Sequence, residues 1–259
     1  MNIVFDIGGT NMRVAPANGD VLGAIRKVGT PRNPEEGLST LVALARELCP
    51  EGVRVIVGDV PGSLDAAGSL YDAPHLAQWE GVNVAERLAR EVGVPVSVLN
   101  DAVLVGYGEA VRGAGKGFNN VVYMTVSTGV GGARVNKQDL SRSAVLHDDL
   151  EALKKRLEDS ISGTAVQKKF GVQPKDLESL DERNTLAEML ARGLHEIAHA
   201  WKPDVFVLGG SMIVGKNPIP LERVRATFTL VPVTMAALGD NGGLTGGAVR
   251  AQLLSEEGK

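Results

Sequence analysis

Cysteine is almost absent: Cys49 is the only one in 259 residues. A lone thiol excludes an intramolecular disulfide, a four-cysteine zinc site and an ordinary iron–sulfur cluster, and it suits a reducing compartment. Aromatic side chains make up only 4% of the chain, so the core has to be aliphatic. A basic excess is also missing, with 27 Lys and Arg against 31 Asp and Glu, which argues against a nucleic-acid partner. No apolar run approaches the roughly 18–20 residues that span a bilayer, and no basic leader precedes the strand-like segment Asn2–Asp6. These absences predict a soluble, cytoplasmic protein with no membrane or nucleic-acid partner.

Glycine, at 32 residues, is plentiful, and strand-like and helix-like patterns alternate almost throughout. That alternation predicts an α/β fold with mostly covered sheets. Asn2–Asp6 and Met12–Ala17 read as two strands joined by the turn Gly8-Gly9-Thr10-Asn11. Asn33-Pro34-Glu35-Glu36 opens a helix, with an N-cap, Pro at the first helical position and Glu placed for a capping box. Val53–Val57 reads as a buried strand, Val82–Val92 as a helix, Pro95–Leu99 as a strand and Ala102–Arg112 as a helix. The run Gly113–Gly117 predicts a flexible joint, and with it an N-terminal lobe over 1–115 and a C-terminal lobe over 116–259.

The second half opens like the first, with a strand (Val121–Val126), a Gly-rich turn (Ser127–Gly132) and a strand (Ala133–Asn136). This is a weak internal repeat about 120 residues apart. A charged helix from His147 to Ile161, a long helix near Thr185–Trp201, a strand at Val205–Leu208 and a last helix from near Gly243 complete the pattern. The last helix is expected to pack back on the N-terminal lobe.

Four segments carry chemistry. Asp6 stands at a strand end beside Gly8, Gly9 and Thr10, where backbone N–H groups can nest phosphate oxygens and a carboxylate can hold Mg²⁺. A plain hairpin with Asp as a turn residue reads the same way. Ser127-Thr128-Gly129 begins the second such turn; no Gly-Lys-Ser/Thr triplet follows, so it is not a Walker loop. Asn100-Asp101 lies where a strand gives way to a helix, the place where open α/β sheets bind ligands. Asp101 is therefore a candidate general base, and the alternative is that Asn100 or Asp101 simply caps the helix. Gly209-Gly210 ends an apolar strand and would let a flat ring such as adenine approach the backbone, or would merely form a tight turn. His195 and His199 lie four apart with no third ligand, and the run Asp148–Glu158 reads as a solvated helix face.

Taken in order, FDIGGTNMRV (5–14), VPG (60–62), LNDA (99–102), MTVSTGVGGARV (124–135), LEDSISGTAV (157–166), PDVFVLGGS (203–211) and LGDNGGLTGGA (238–248) resemble the ROK family of bacterial sugar kinases and sugar-responsive repressors. The resemblance implies the actin-like ATPase (ribonuclease H-like) fold, with two lobes and a cleft between them. It implies ATP and Mg²⁺ as co-substrate and metal. Asp6, Gly8, Gly9 and Thr10 match its first phosphate motif; Ser127, Thr128 and Gly129 match the second; Gly209 and Gly210 match the adenosine motif. Asn100 matches a sugar ligand, Asp101 the catalytic Asp, Glu158 a ligand of a sugar hydroxyl and Gly62 a backbone sugar contact.

The departures are local. The family's Gly-Glu-X-Gly-His is reduced to Ser143-Ala144-Val145-Leu146-His147, in which His147 remains and Ala144 replaces the Glu. The cysteine zinc loop that follows in the family is missing, so no zinc is expected. His75 stands where Asn is common. Family repressors carry a helix-turn-helix ahead of the first phosphate motif, and here that motif lies in the opening strand. The expected function is ATP-dependent phosphorylation of a hexose or amino sugar, glucokinase-like and possible as a homodimer. The alternative is a nucleotide- and sugar-binding protein with weakened catalysis.

Overall fold

The computed structural model describes residues 1–257. The chain forms two compact units: Met1–Gly108 with the segment from Asp240 onward, and Glu109–Gly239.

In the first unit, strands Asn2–Ile7 and Asn11–Asn18 form an antiparallel hairpin. Ile56–Val60 lies parallel to the first strand, and Val96–Asn100 lies parallel to Ile56–Val60. Two short strands, Val21–Leu22 and Arg26–Gly29, pair with Asn11–Asn18. Period-two alternation decides the faces. Ile3, Phe5 and Ile7 pack with Leu38, Leu41, Val42 and Ala45 of helix Pro34–Leu48, while Val4 points to the other face, against Leu244 and Ala248 of helix Gly242–Glu257. Asn33 caps the first of these helices by accepting from the N–H groups of Glu35 and Glu36.

The expected strand Val53–Val57 is displaced: it runs from Ile56 to Val60 and ends at Pro61. The apolar run Val53–Val57 misled because Gly58 and Asp59 do not look like core residues. Yet a Cβ at Gly58 would sit 2.4 Å from the Phe5 ring, and Asp59 is 1% exposed. Residues 113–117 form a tight turn in which Gly113 and Gly115 donate to the Glu109 carbonyl. The buried Glu109 carboxylate accepts from the N–H groups of Ala114, Ala237 and Leu238.

The second unit repeats the topology. Asn120–Val126 and Val130–Asn136 form a hairpin, Val205–Gly209 runs parallel to the first of them, and Val233–Met235 runs parallel to Val205–Gly209. Helix Leu180–Trp201 buries Leu186, Leu190, Leu194 and Ile197 against Val122, Met124 and Phe206 of this sheet. The turn is shorter than expected, since pairing resumes at Val130. The charged helix is two helices, Leu146–Asp149 and Glu151–Ile161, broken at Leu150 where φ is −134° and ψ 44°. Helix Gly163–Phe170 was not legible in the sequence. Among the described residues no helix is long and apolar enough to cross a membrane.

Candidate active site

The parallel strands of the first unit end side by side, and their carboxyl ends gather the polar groups. Asp6 is in register with Arg13 across the hairpin and with Asp59 on the parallel strand. Arg13 donates from Nε to Asp6 Oδ2 at 2.8 Å and also bonds it through Nη2. Asp59 is the residue that sequence reasoning missed. Burial pushes its carboxyl well above the ordinary range; the charges of Asp6 and Asp101 and a hydrogen bond to Asp6 push it further, against a smaller pull from Arg13. Asp59 Oδ2 is buried without a hydrogen-bond partner, and a Cβ at Gly243 would lie 2.5 Å from it.

One strand further on, Val60 is in register with Asn100. Asn100 Nδ2 donates to the Gly62 carbonyl at 2.7 Å, and its Oδ1 accepts from Ala102 N at 2.9 Å and Val103 N at 3.3 Å. Asn100 thus caps the helix Asp101–Arg112 and at the same time fixes Gly62, whose φ of 97° excludes other residues. Asp101 is the first helical residue, with Oδ1 accepting from Ala102 N. So Gly62, Asn100 and Asp101 come together. The turn Gly8–Asn11 closes with Gly8 N donating to Asn11 O, and Thr30 Oγ1 donates to Gly8 O. Gly9 has a reason the sequence did not reveal: a Cβ there would meet His75 at 2.7 Å.

In the second unit, Ser127, Thr128, Gly129, Gly209 and Gly210 gather at the equivalent sheet end. Ser127 Oγ accepts from Ser211 N at 3.0 Å, and Thr128 O accepts from Thr164 N and Oγ1. Gly210 has φ 89°, and a Cβ on it would lie 2.4 Å from Val126 O and 2.7 Å from Ser127 Oγ, so Gly210 is packed against the turn itself, while Gly209 faces Tyr123 and Ala236. A cavity of about 350 Å³ opens beside it, lined by Thr128, Thr164, Gln167, Gln173, Lys175 and Lys216 among others. Its walls carry no aromatic ring.

Glu158 does not sit on a solvated face. Its Oε2 accepts from Val130 N at 3.0 Å and pairs with Lys154 Nζ at 3.1 Å, and a Cβ at Gly129 would stand 2.7 Å from it. Burial raises its carboxyl, but the Val130 N–H and the Lys154 ammonium outweigh that and hold it below the ordinary range. His147 lies at the start of the preceding short helix, Nε2 3.4 Å from Asp148 Oδ1. His195 stacks edge-on against Phe228, with ring centroids 4.8 Å apart.

Magnesium suits the first sheet end on chemical grounds. Asp6, Asp59 and Asp101 offer hard oxygens only, the donor type that Mg²⁺ takes, and the buried Asp59 Oδ2 has no hydrogen-bond partner. Among the described residues no group of three or more His, Cys, Asp or Glu is arranged to hold a metal ion.

The comparisons agree with this geometry. The ROK family model matches residues 2–144. A glucokinase of Streptomyces coelicolor is 25% identical, with 96% of each chain covered. A ROK hexokinase of Thermus thermophilus superimposes with a TM-score of 0.82 at 24% identity over 99% of both chains. A ROK family glucokinase of Streptomyces griseus, solved with glucose and AMPPNP, gives 0.72 at 22% identity, covering 97% of this chain and 99% of its own. The fold is the actin-like ATPase fold of these kinases. With the family model spanning more than half of it, this chain belongs to the ROK family.

Proposed function

We propose that the protein is an ATP-dependent sugar kinase that phosphorylates a hydroxyl of a hexose or amino sugar. The observation that carries this reading is the bracket Gly62–Asn100–Asp101 at the carboxyl end of the first sheet, in a chain of the ROK family. The Streptomyces relatives named glucokinase, one of them bound to glucose and AMPPNP, support both the sugar and the nucleotide.

Asp101 takes the proton of the attacking hydroxyl. As the sugar oxygen bonds to the γ-phosphorus, the bridge to the β-phosphate breaks and ADP departs. Asn100 and the Gly62 backbone orient the sugar, with Glu158 and His147 as further sugar contacts. Backbone N–H groups of Gly9 and Thr10, in the turn that Gly8 closes, and the Ser127 and Thr128 hydroxyls with Gly129 hold phosphate oxygens, where fixed donors cost no reorganisation during transfer. Gly209 and Gly210 contact the nucleoside, and Ser211, next in the chain, lines the cavity that takes it. Asp6 would hold Mg²⁺, which would supply neutralising charge to the phosphates. A release assay for ADP across glucose, mannose, fructose and their amino derivatives tests the reading; no sugar-dependent ADP release from any of them would refute it.

A second reading, a binding protein with weakened catalysis, has one observation in its favour. Glu158 Oε2 is committed to Val130 and Lys154, and Ala144, at the place where the family motif carries a Glu, offers no carboxylate. The same panel separates the two: sugar binding by calorimetry without turnover identifies the second.

A further inference from the structure

Helix Glu151–Ile161 delivers a cation, Lys154, to the edge of the second Gly-rich turn. Lys154 and Glu158 are one helical turn apart, but theirs is not an ordinary surface pair. Arg90 and Glu86 are 70% and 50% exposed, whereas Lys154 is 28% and Glu158 37% exposed. A single oxygen, Glu158 Oε2, receives both the Lys154 ammonium and the Val130 N–H. The same oxygen lies against Gly129, at 2.7 Å from where a Cβ would be. The Lys154 charge is thus no farther from the Val130 N–H than those two bonds laid end to end.

The turn itself is uncharged at Ser127, Thr128, Gly129 and Val130, and so are Thr164 and Ser211 beside it; Lys175 and Lys216 line the adjoining cavity, whereas Lys154 reaches the turn through Glu158. Ser127 N and Val130 N are already spent, on Gly129 O and Glu158. A turn that receives a polyanion with a carboxylate on its edge needs a positive charge to offset the repulsion, and an ammonium on a flexible stem can change partners without moving the backbone.

We infer that Lys154 is a donor-phosphate ligand, parked on Glu158 until phosphate oxygens occupy the Ser127–Gly129 turn and then transferred to them. This rests on the reading of that turn as a phosphate site. It also gives Glu158 a role at the donor side, through Oε2 on the turn and on Lys154.

The test is calorimetric titration of the full chain with Mg-ATP and, separately, with inorganic tripolyphosphate, for wild type, Lys154→Met and Lys154→Arg, joined to steady-state kinetics with glucose. Lys154→Met should weaken both anions by about 10- to 100-fold, the span of one charge-assisted hydrogen bond. Lys154→Arg should recover most of the loss, and the KM for glucose should shift less than the affinity for either anion. Unchanged anion affinity in Lys154→Met overturns the inference, as does a shift in the glucose KM with none for ATP. A wild type that binds both anions yet phosphorylates no sugar refutes the kinase reading alone, and Lys154 is then judged by the binding data. A wild type that binds neither anion ends both.

Discussion

Asn100 holds the Gly62 carbonyl at 2.7 Å with one end of its amide while the other end caps the helix that Asp101 begins. A single side chain therefore sets both the backbone proposed to meet the sugar and the orientation of the proposed base. Asn100→Asp keeps the capping oxygen but turns the donor into an acceptor facing a carbonyl. The lost buried bond costs about 1–3 kcal/mol. The expected outcome is a raised KM for sugar and a lower melting temperature with nucleotide affinity unchanged, read by kinetics and thermal unfolding together.

Asp101→Asn should lower turnover by roughly 10²–10⁴-fold, the usual contribution of a general base, and leave ATP binding near wild type. Its sharp readout is single-turnover kinetics: a mutant whose chemical step runs at the wild-type rate removes Asp101 from the mechanism.

Asp59 makes stability fall as pH rises. Its carboxyl is raised in the fold, so folding takes up a proton between the ordinary carboxylate value and the raised one. The folded state is favoured at the low end of that window and loses about 1.4 kcal/mol per pH unit across it. Asp59→Asn keeps a donor toward Asp6 without the proton uptake. In chelator-treated protein, urea unfolding from pH 5 to 8 should show a flatter profile for the variant and greater stability at the upper end. Identical slopes for the two proteins would exclude this role.

Gly243→Ala places a methyl group 2.5 Å from Asp59 Oδ2 on a packed helix start. The strain expected of overpacking is about 1–3 kcal/mol. Combining it with Asp59→Ala, which empties the facing position, should recover much of the loss. Strict additivity in a double-mutant cycle would mean that the two sites do not touch.

What the sequence made legible were features with local chemistry. The two hairpins and the cap at Asn33 follow from turn residues, alternation and capping oxygens, and all three stand in the structure. Asp59 stayed hidden because a buried carboxylate inside a strand contradicts the hydrophobic rule used to find strands, and that error shifted the strand by three residues. Arg13 alternates outward like any polar strand residue until its register opposite Asp6 is known. Glu158 looked like one more charge on a mixed face, since no periodicity reveals that the helix is broken at Leu150 and that its second half lies on the Gly-rich turn. The cavity residues Gln167 and Gln173 come from a polar stretch with no motif at all.

The helix Gly242–Glu257 covers a face of the first unit's sheet, with Leu244 and Ala248 on Val4, Ala15 and Ala17, and Ala251 on Val57 and Leu104. Between that sheet and its cover the ribosome must make all of Glu109–Gly239. At ordinary elongation rates this takes on the order of ten seconds. For that interval the nascent sheet presents bare valine and alanine to solvent or to a chaperone, while the later-made unit, continuous in sequence, can complete its own core first.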